Sequence, residues 1–248
     1  MEEAPPAPGS VLVVSTCLAD AWRPEVTTAV FQVLERLGIS ARAAEAVACC
    51  GQPAYNAGAW ADARAMARHL VRSLGATAEP VVVPSGSCAD MIRHHVPHLL
   101  EEDPELHEVA VRVAGRTFEF TQFLTEVVHR SSLPCTFARR VAYHPSCHLL
   151  RGMGVDQGPR ALLRGAEGAS PVPLRDEDQC CGFGGLFSLK MAGISGAMLA
   201  RKLDAIEASG AEAVVSCDLG CLLQIEGGLR RRGLAVEARH IAEVLATP

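Results

Sequence analysis

The sequence predicts an α/β protein made of two homologous repeats, each a small parallel sheet flanked by helices. Three observations carry this expectation. Short apolar runs alternate with longer amphipathic stretches, the pattern of parallel strands joined through crossover helices. A Cys-Cys-Gly triplet stands at matching places in the two halves, Cys49-Cys50-Gly51 and Cys180-Cys181-Gly182. The other cysteines recur with it, by a shift of 130 from Cys17 to Cys147, 131 from Cys49 to Cys180 and 133 from Cys88 to Cys221. A near-constant shift over three separate anchors is the mark of duplication.

The chain opens on an acidic, proline-rich stretch, and residues 1–10 are expected to be disordered. This stretch has neither the basic start nor the apolar run of a signal peptide. Residues 11–14 predict the first strand, and residues 24–37 a helix that begins with Pro-Glu and stops at Gly38. Residues 58–74, alanine-rich with charges on one side, predict a second helix ending at Gly75; residues 80–83 predict another strand. A polar–apolar segment at 118–124 closes the half, and turn formers at 131–134 mark the boundary. The repeats are therefore taken as residues 11–132 and 133–248. The second half answers with strands at 141–143 and 213–215, a helix over 190–208 and a closing segment at 236–242. Arg230, Arg231 and Arg232 fall where a helix should end, and cations there complement the helix dipole.

Composition narrows the function. The net charge of −5 and 4% aromatic content argue against general nucleic-acid binding. No apolar run approaches the roughly 18 residues of a membrane helix, so no membrane span is expected and the protein is read as soluble and cytoplasmic. In a reducing compartment the ten cysteines read as metal ligands or redox groups rather than disulfides.

In Rossmann-like parallel sheets, the loops at the carboxyl ends of the strands converge on one edge. Cys17, Cys88, Cys147 and Cys221 each follow a predicted strand closely, so the fold brings distant cysteines together. Each half then offers four soft thiolates, Cys17, Cys49, Cys50 and Cys88, and Cys147, Cys180, Cys181 and Cys221. Four thiolates suit a [4Fe–4S] cluster, one per iron, and two clusters are expected. The adjacent pair favours a cluster over a single zinc ion, because neighbouring side chains diverge and structural zinc sites use Cys-x-x-Cys knuckles. Gly51, Gly182, Gly184 and Gly185 would let backbone N–H groups approach the sulfurs.

Other residues are weighed against this set. Cys135 has no partner in the repeat and reads as a buried thiol, while Cys217 reads as a fifth ligand or a spare one. His144 and His148 flank Cys147 as supporting or structural groups rather than ligands. His94 and His95 read as a polar helix surface, and Lys190 as solvated rather than facing an anionic ligand. The Gly182-Phe183-Gly184-Gly185 turn lacks the spacing and preceding strand of a nucleotide-binding loop. No flavin or NAD site is expected in this chain.

Several stretches resemble a known family. They are Cys49 to Asn56, Ser85 to Cys88 within Pro-Ser-Gly-Ser-Cys, Cys180 to Lys190 and His240 to Leu245. Over residues 11–245 the chain resembles the cysteine-rich CCG-domain family, which includes the heterodisulfide reductase B subunit and the glycolate oxidase iron–sulfur subunit. It is most similar to the lactate-utilisation branch. That resemblance implies iron–sulfur clusters on the matching cysteines. It also implies an electron-transferring oxidoreductase component, not active alone, in the oxidation of L-lactate to pyruvate. Two partner proteins from the same operon are implied, one of them an iron–sulfur protein. Many members carry Cys-x-x-Cys where this chain has Ser85-x-x-Cys88 and Asp218-x-x-Cys221. The difference points to a conventional cubane rather than a five-cysteine cluster, with Ser85 and Asp218 as additional oxygen ligands to consider. Two alternatives remain open: a catalytic iron–sulfur subunit of a heterodisulfide-reductase-like or glycolate-oxidase-like complex, and a zinc-stabilised interaction protein.

Overall fold

The computed structural model describes residues 8–248 and contains two parallel four-stranded sheets. Residues 1–7, within the stretch expected to be disordered, lie outside the described residues, and Ser10 already belongs to the first strand. The first sheet has the order β2-β1-β3-β4, from β1 (Ser10–Val13), β2 (Ser40–Ala43), β3 (Val81–Val83) and β4 (Thr117–Glu119). The second repeats it as β6-β5-β7-β8, from β5 (Arg140–Tyr143), β6 (Ser170–Val172), β7 (Ala213–Ser216) and β8 (Glu237–His240). Registers match as well: Val13 lies opposite Val82 in one sheet, and Tyr143 opposite Val215 in the other.

The sequence announces two strands and a closing polar–apolar segment per half; β4 and β8 fall at those closing segments, and the edge strands β2 and β6 are additional. Both lie at an edge with little buried surface, so neither needs an apolar run. β6 even tolerates Pro171, as an edge strand with one unpaired side can.

Helices of the first half are α1 (Cys17–Trp22), α2 (Glu25–Arg36), α3 (Gln52–Asn56), α4 (Trp60–Gly75), α5 (Gly86–Asp90), α6 (Val96–Leu99), α7 (Pro104–Gly115) and α8 (Phe120–Gln122). Those of the second are α9 (Gln157–Arg164), α10 (Leu186–Lys190), α11 (Ala192–Ser209), α12 (Leu219–Arg232) and α13 (Ile241–Ala246). The helices expected at 24–37, 58–74 and 190–208 correspond to α2, α4 and α11. Helix α4 buries Ala63, Ala67, Leu70, Val71 and Leu74, one stripe at helical spacing. The matching stripe of α11 is Ser195, Leu199, Lys202, Leu203 and Ile206, and its lysine stands out. Among the described residues, no helix is long and apolar enough to cross a membrane.

The halves exchange their closing helices. Helix α13 packs on α2 of the first half, and α8 on α9 of the second. Leu34, Phe120, Phe123, Tyr143, Leu162 and Ile241 thus share one core that belongs to neither sheet alone. Truncating a fully buried leucine such as Leu34 to alanine costs about 2–5 kcal/mol. This shared core therefore fixes one half against the other and, with them, the two cysteine loops.

Candidate metal centre

In each sheet the chain leaves the first strand to one side and returns to the other, opening a crevice at the carboxyl ends of the central pair. Cys17 follows β1 and opens α1, whose first turn is capped by Thr16, with Ala19 N donating to Oγ1 at 3.3 Å. Cys88 follows β3 in the first turn of α5, and its N–H donates to Ser85 Oγ at 3.3 Å. Cys49 and Cys50 come from the loop between β2 and α3. The second half copies this plan. Cys147 follows β5, Cys180 and Cys181 precede α10, and Cys221 lies in the first turn of α12. There Asp218 is the cap, accepting from Gly220 N at 3.1 Å.

The predicted four-cysteine sets do come together. Cys50 Sγ lies 3.4 Å from Cys88 Sγ, and the Cys17 and Cys49 thiols are close enough to shift one another's ionisation. Cys147 pairs with Cys180, and Cys181 with Cys221, in the same way. Gly51 N and Gly182 N each lie 3.4 Å from the sulfur of Cys49 and Cys180, respectively. The φ values of +86° and +87° at these glycines aim the N–H groups there, a conformation that side chains disfavour. Donation from neighbouring thiols, aided by these N–H groups, holds Cys49 and Cys180 well below the ordinary thiol range. The same pairings, with burial, push Cys17, Cys50, Cys147 and Cys181 up. All ten cysteines are free.

Both sets open onto one cavity of about 170 Å³ at the junction of the halves. Cys17, Cys50 and Cys88 line it from one side, and Cys147, Cys180, Cys181 and Cys221 from the other. Ser85 and Asp218, considered as oxygen ligands, also line it but face one another. Ser85 Oγ donates to Asp218 Oδ2 at 3.2 Å, and Ser87 N donates to the same oxygen at 2.9 Å. The two capping loops therefore bond across the junction. Cys217 is absent from the lining: it is fully buried in the shared core, with its sulfur 3.7 Å from the Tyr143 hydroxyl. Burial pushes that thiol up. Cys135 is a buried core residue, and Lys190 is exposed at the end of α10.

The histidines make contacts that the sequence does not announce. His148 lines the cavity, and its Nδ1 lies 2.6 Å from buried Asp90, which also binds His94 Nδ1 at 2.7 Å. His94 and His95 thus add contacts to a helix surface, His95 packing against the Tyr55 ring with centroids 4.7 Å apart and planes tilted by 32°. The bond to Asp90 raises His148; burial opposes ionisation of Asp90, but its histidine partners outweigh it and hold the carboxyl low. His144 is fully buried, and neither imidazole nitrogen completes a hydrogen bond. One nitrogen lies within 4.8 Å of both Cys181 and Cys221 sulfurs. Burial, then the charge of Lys202, pushes His144 down to about 3, against a weaker polar contact with the Glu177 backbone.

Sequence reasoning passed over Lys202, although a lysine inside the apolar stripe of α11 was a legible signal. Only 1% exposed, it donates from Nζ to the carbonyls of Asp176 at 3.1 Å and Glu177 at 3.0 Å. The capping role of Glu119 and His240, at equivalent positions closing β4 and β8, was also missed; both are completely buried.

Seven soft sulfurs on one cavity, none in a disulfide, with an unbonded imidazole beside two of them, suit a metal or iron–sulfur group. Comparison with known proteins agrees. A family model described as a cysteine-rich domain, CCG, matches residues 11–93 and again 141–226. Lactate utilization protein A of Geobacillus kaustophilus is 44% identical, with 93% of this chain and 95% of that protein aligned. Its counterpart from Anoxybacillus flavithermus is 41% identical over 95% and 98%. Among solved structures, a hypothetical protein from Helicobacter pylori superposes with a TM-score of 0.66 at 11% identity, a likeness of fold. All of this chain is covered there, and it spans 52% of that one. The chain belongs to the CCG cysteine-rich domain family, alongside the proteins named lactate utilization protein A.

Proposed function

We propose that this chain is the iron–sulfur subunit of an L-lactate oxidation system, transferring electrons in the cytoplasm together with two partner proteins of the same operon. The observation that carries this reading is the convergence of seven of the eight predicted cysteines, from three loops per half, onto one cavity, with Cys49 beside Cys17 and Cys50 just outside its lining. In it, Cys17, Cys49, Cys50 and Cys88 hold one [4Fe–4S] cluster, and Cys147, Cys180, Cys181 and Cys221 hold the other. One repeat, over residues 11–132, carries the first and the repeat over 133–248 the second. Once bound, the clusters supply one-electron transfer.

The chain's own residues prepare that role. The backbone N–H groups of Gly51, Gly182 and Phe183 point at the sulfurs of Cys49, Cys180 and Cys181, respectively. Leu18, Pro53, Phe183 and Leu219 give the cavity apolar walls, which limit water around the sulfurs. Lactate enters the proposal through the names of relatives 38–44% identical to this chain. The sequence carries no flavin or nicotinamide motif, so removal of two electrons from lactate falls to partners, one of them an iron–sulfur protein.

Anaerobic reconstitution with iron and sulfide counting tests the cofactor. About eight of each per chain are expected for two [4Fe–4S] clusters. A colourless protein with stoichiometric zinc and no acid-labile sulfide would mean a zinc-stabilised interaction protein instead. Normal growth of a deletion strain on L-lactate, with no duplicate gene, would sink the lactate assignment. The shared cavity favours a second reading, in which a small disulfide or 2-oxo acid reacts there. An EPR spectrum perturbed by such a compound would select it.

A further inference from the structure

We propose that Lys202 and His144 make the two cysteine sites electrostatically unequal, so that an added electron resides at the second site in preference to the first. This rests on the iron–sulfur reading above. Equivalent positions follow from the structure itself. A Cβ on Gly51 would meet Met66 and Ala63, and one on Gly182 would meet Met198 and Ser195. That register sets Lys202 against Leu70. His144 is set against Val14, because His144 N donates to Val215 O and Val14 N to Val82 O in the two matching sheets. Around the first site both positions are apolar and buried; around the second they are a cation and an imidazole.

A buried ammonium is costly unless an anion compensates it. Two carbonyls receive the Lys202 protons. Burial pushes the Lys202 ammonium down, and the groups that favour its charged form are the Cys181 sulfur first, then Asp178, largely exposed and bound to Arg151, and the sulfurs of Cys221 and Cys180. Its natural counter-ion is therefore a thiolate-bound group at the second site. His144 acts in the same direction. One imidazole nitrogen lies within 4.8 Å of the Cys181 and Cys221 sulfurs, and in the tautomer that carries its proton there a neutral imidazole gives them an N–H donor. A positive charge and an N–H donor near sulfur both stabilise the more negative, reduced state. Given one electron from a low-potential one-electron donor, the second cluster is reduced and the first remains oxidised. No proton or bond change is involved.

EPR-monitored redox titration of the anaerobically reconstituted full chain tests this. Cys50→Ala and Cys181→Ala, each leaving one site intact, assign the signals. Two waves are expected, the higher belonging to the second site. Lys202→Leu and His144→Val install the first half's own residues; each should shift the higher wave downward and leave the lower one in place. Lys202→Arg, which keeps the charge, should hold the higher wave near its original potential. Coincident waves, or a Lys202→Leu protein whose higher wave does not move, overturn the proposal. If Lys202→Leu does not fold, the order of the two waves in the single-site variants decides. A protein that takes up no iron and sulfide removes the reading beneath the proposal as well. A loaded protein with two equal sites removes the proposal alone.

Discussion

The first cysteine set is backed by Val14 and Leu70, whereas the second meets His144 and Lys202 at the same places. Yet the loops that carry the sulfurs hardly differ. Both halves keep the Cys-Cys-Gly turn with a left-handed glycine, a side-chain cap ahead of the last cysteine, and the same strand order. Duplication has preserved what backbone geometry requires and relaxed what lies one layer behind it. Ser85 and Asp218 make the point in miniature: both cap a helix, but only the aspartate can accept from the serine opposite. A buried polar residue facing an apolar counterpart in the other repeat is not needed to form the fold, because the other repeat forms without it.

The harshest test of two separate sites is to remove one. Cys50→Ala and Cys181→Ala should each lose about half of the bound iron and sulfide, leaving a single EPR signal. Loss of all iron from either variant would mean that the shared cavity holds one joint centre. Next comes a transplant of the difference. Leu70→Lys places an ammonium in the first half without the carbonyl pair that Asp176 and Glu177 supply, and should destabilise the metal-free protein by several kcal/mol. The reverse change, Lys202→Leu, should stay within about 2 kcal/mol of the parent, since replacing buried charge with apolar volume is often neutral. Urea denaturation of the metal-free, reduced protein checks both, and similar losses for the two would erase the asymmetry.

How much of this was legible in the sequence follows from the same comparison. The duplicated sheet and the convergence of the cysteines were readable, because apolar strands, the glycine after each Cys-Cys pair and a constant shift are local signals. The edge strands β2 and β6 were not, since Ser40 to Ala43 and Ser170 to Val172 bury little and show no periodicity. Helices α7 and α9 were passed over although Asp103 and Pro104 open the first with an ordinary cap. The exchange of α8 and α13 between halves has no local signature at all. Nor has the bond from His148 to Asp90, 58 residues away in sequence. Lys202 was legible in principle, as a charge within a stripe otherwise made for burial.

A subtler contrast lies in the glycines after the cysteine pairs. Both hold φ near +90°, where an alanine costs about 1–2 kcal/mol. A Cβ on Gly51 would sit 3.4 Å from the Met66 side chain, ordinary contact, but one on Gly182 would lie 2.6 Å from the Ser195 carbonyl oxygen. Gly182→Ala should therefore cost a further 1–3 kcal/mol, roughly the range for overpacking, and loosen the second cysteine loop selectively. Thermal or urea unfolding of the two variants gives the comparison directly. Equal losses would mean that the turn around Gly182 relaxes freely.

The smallest expected effect is a difference in slope. Glu119 and His240 occupy equivalent positions, pair with Val83 and Ser216 respectively, and cap the following helix. Burial pushes the Glu119 carboxyl up to about 7, against the hydrogen bonds from Thr121 and Gln122. Burial pushes His240 down to about 4. An unfolded glutamate titrates near 4.3 and a histidine near 6.5, roughly. Between about 4.3 and 7 the folded state holds the extra proton on Glu119, so this residue makes stability fall as pH rises. Between about 4 and 6.5 the unfolded state holds the extra proton on His240, so that residue makes stability rise with pH. Over their common window the two slopes oppose each other. Glu119→Gln should leave the rising limb exposed, and His240→Asn, which keeps a capping side chain, the falling one. Urea midpoints of the metal-free, reduced protein from pH 4.5 to 8 read this, with other titrating groups common to all three proteins. Three parallel curves would mean that the cap positions are electrostatically silent, and that the halves diverge only behind their cysteines.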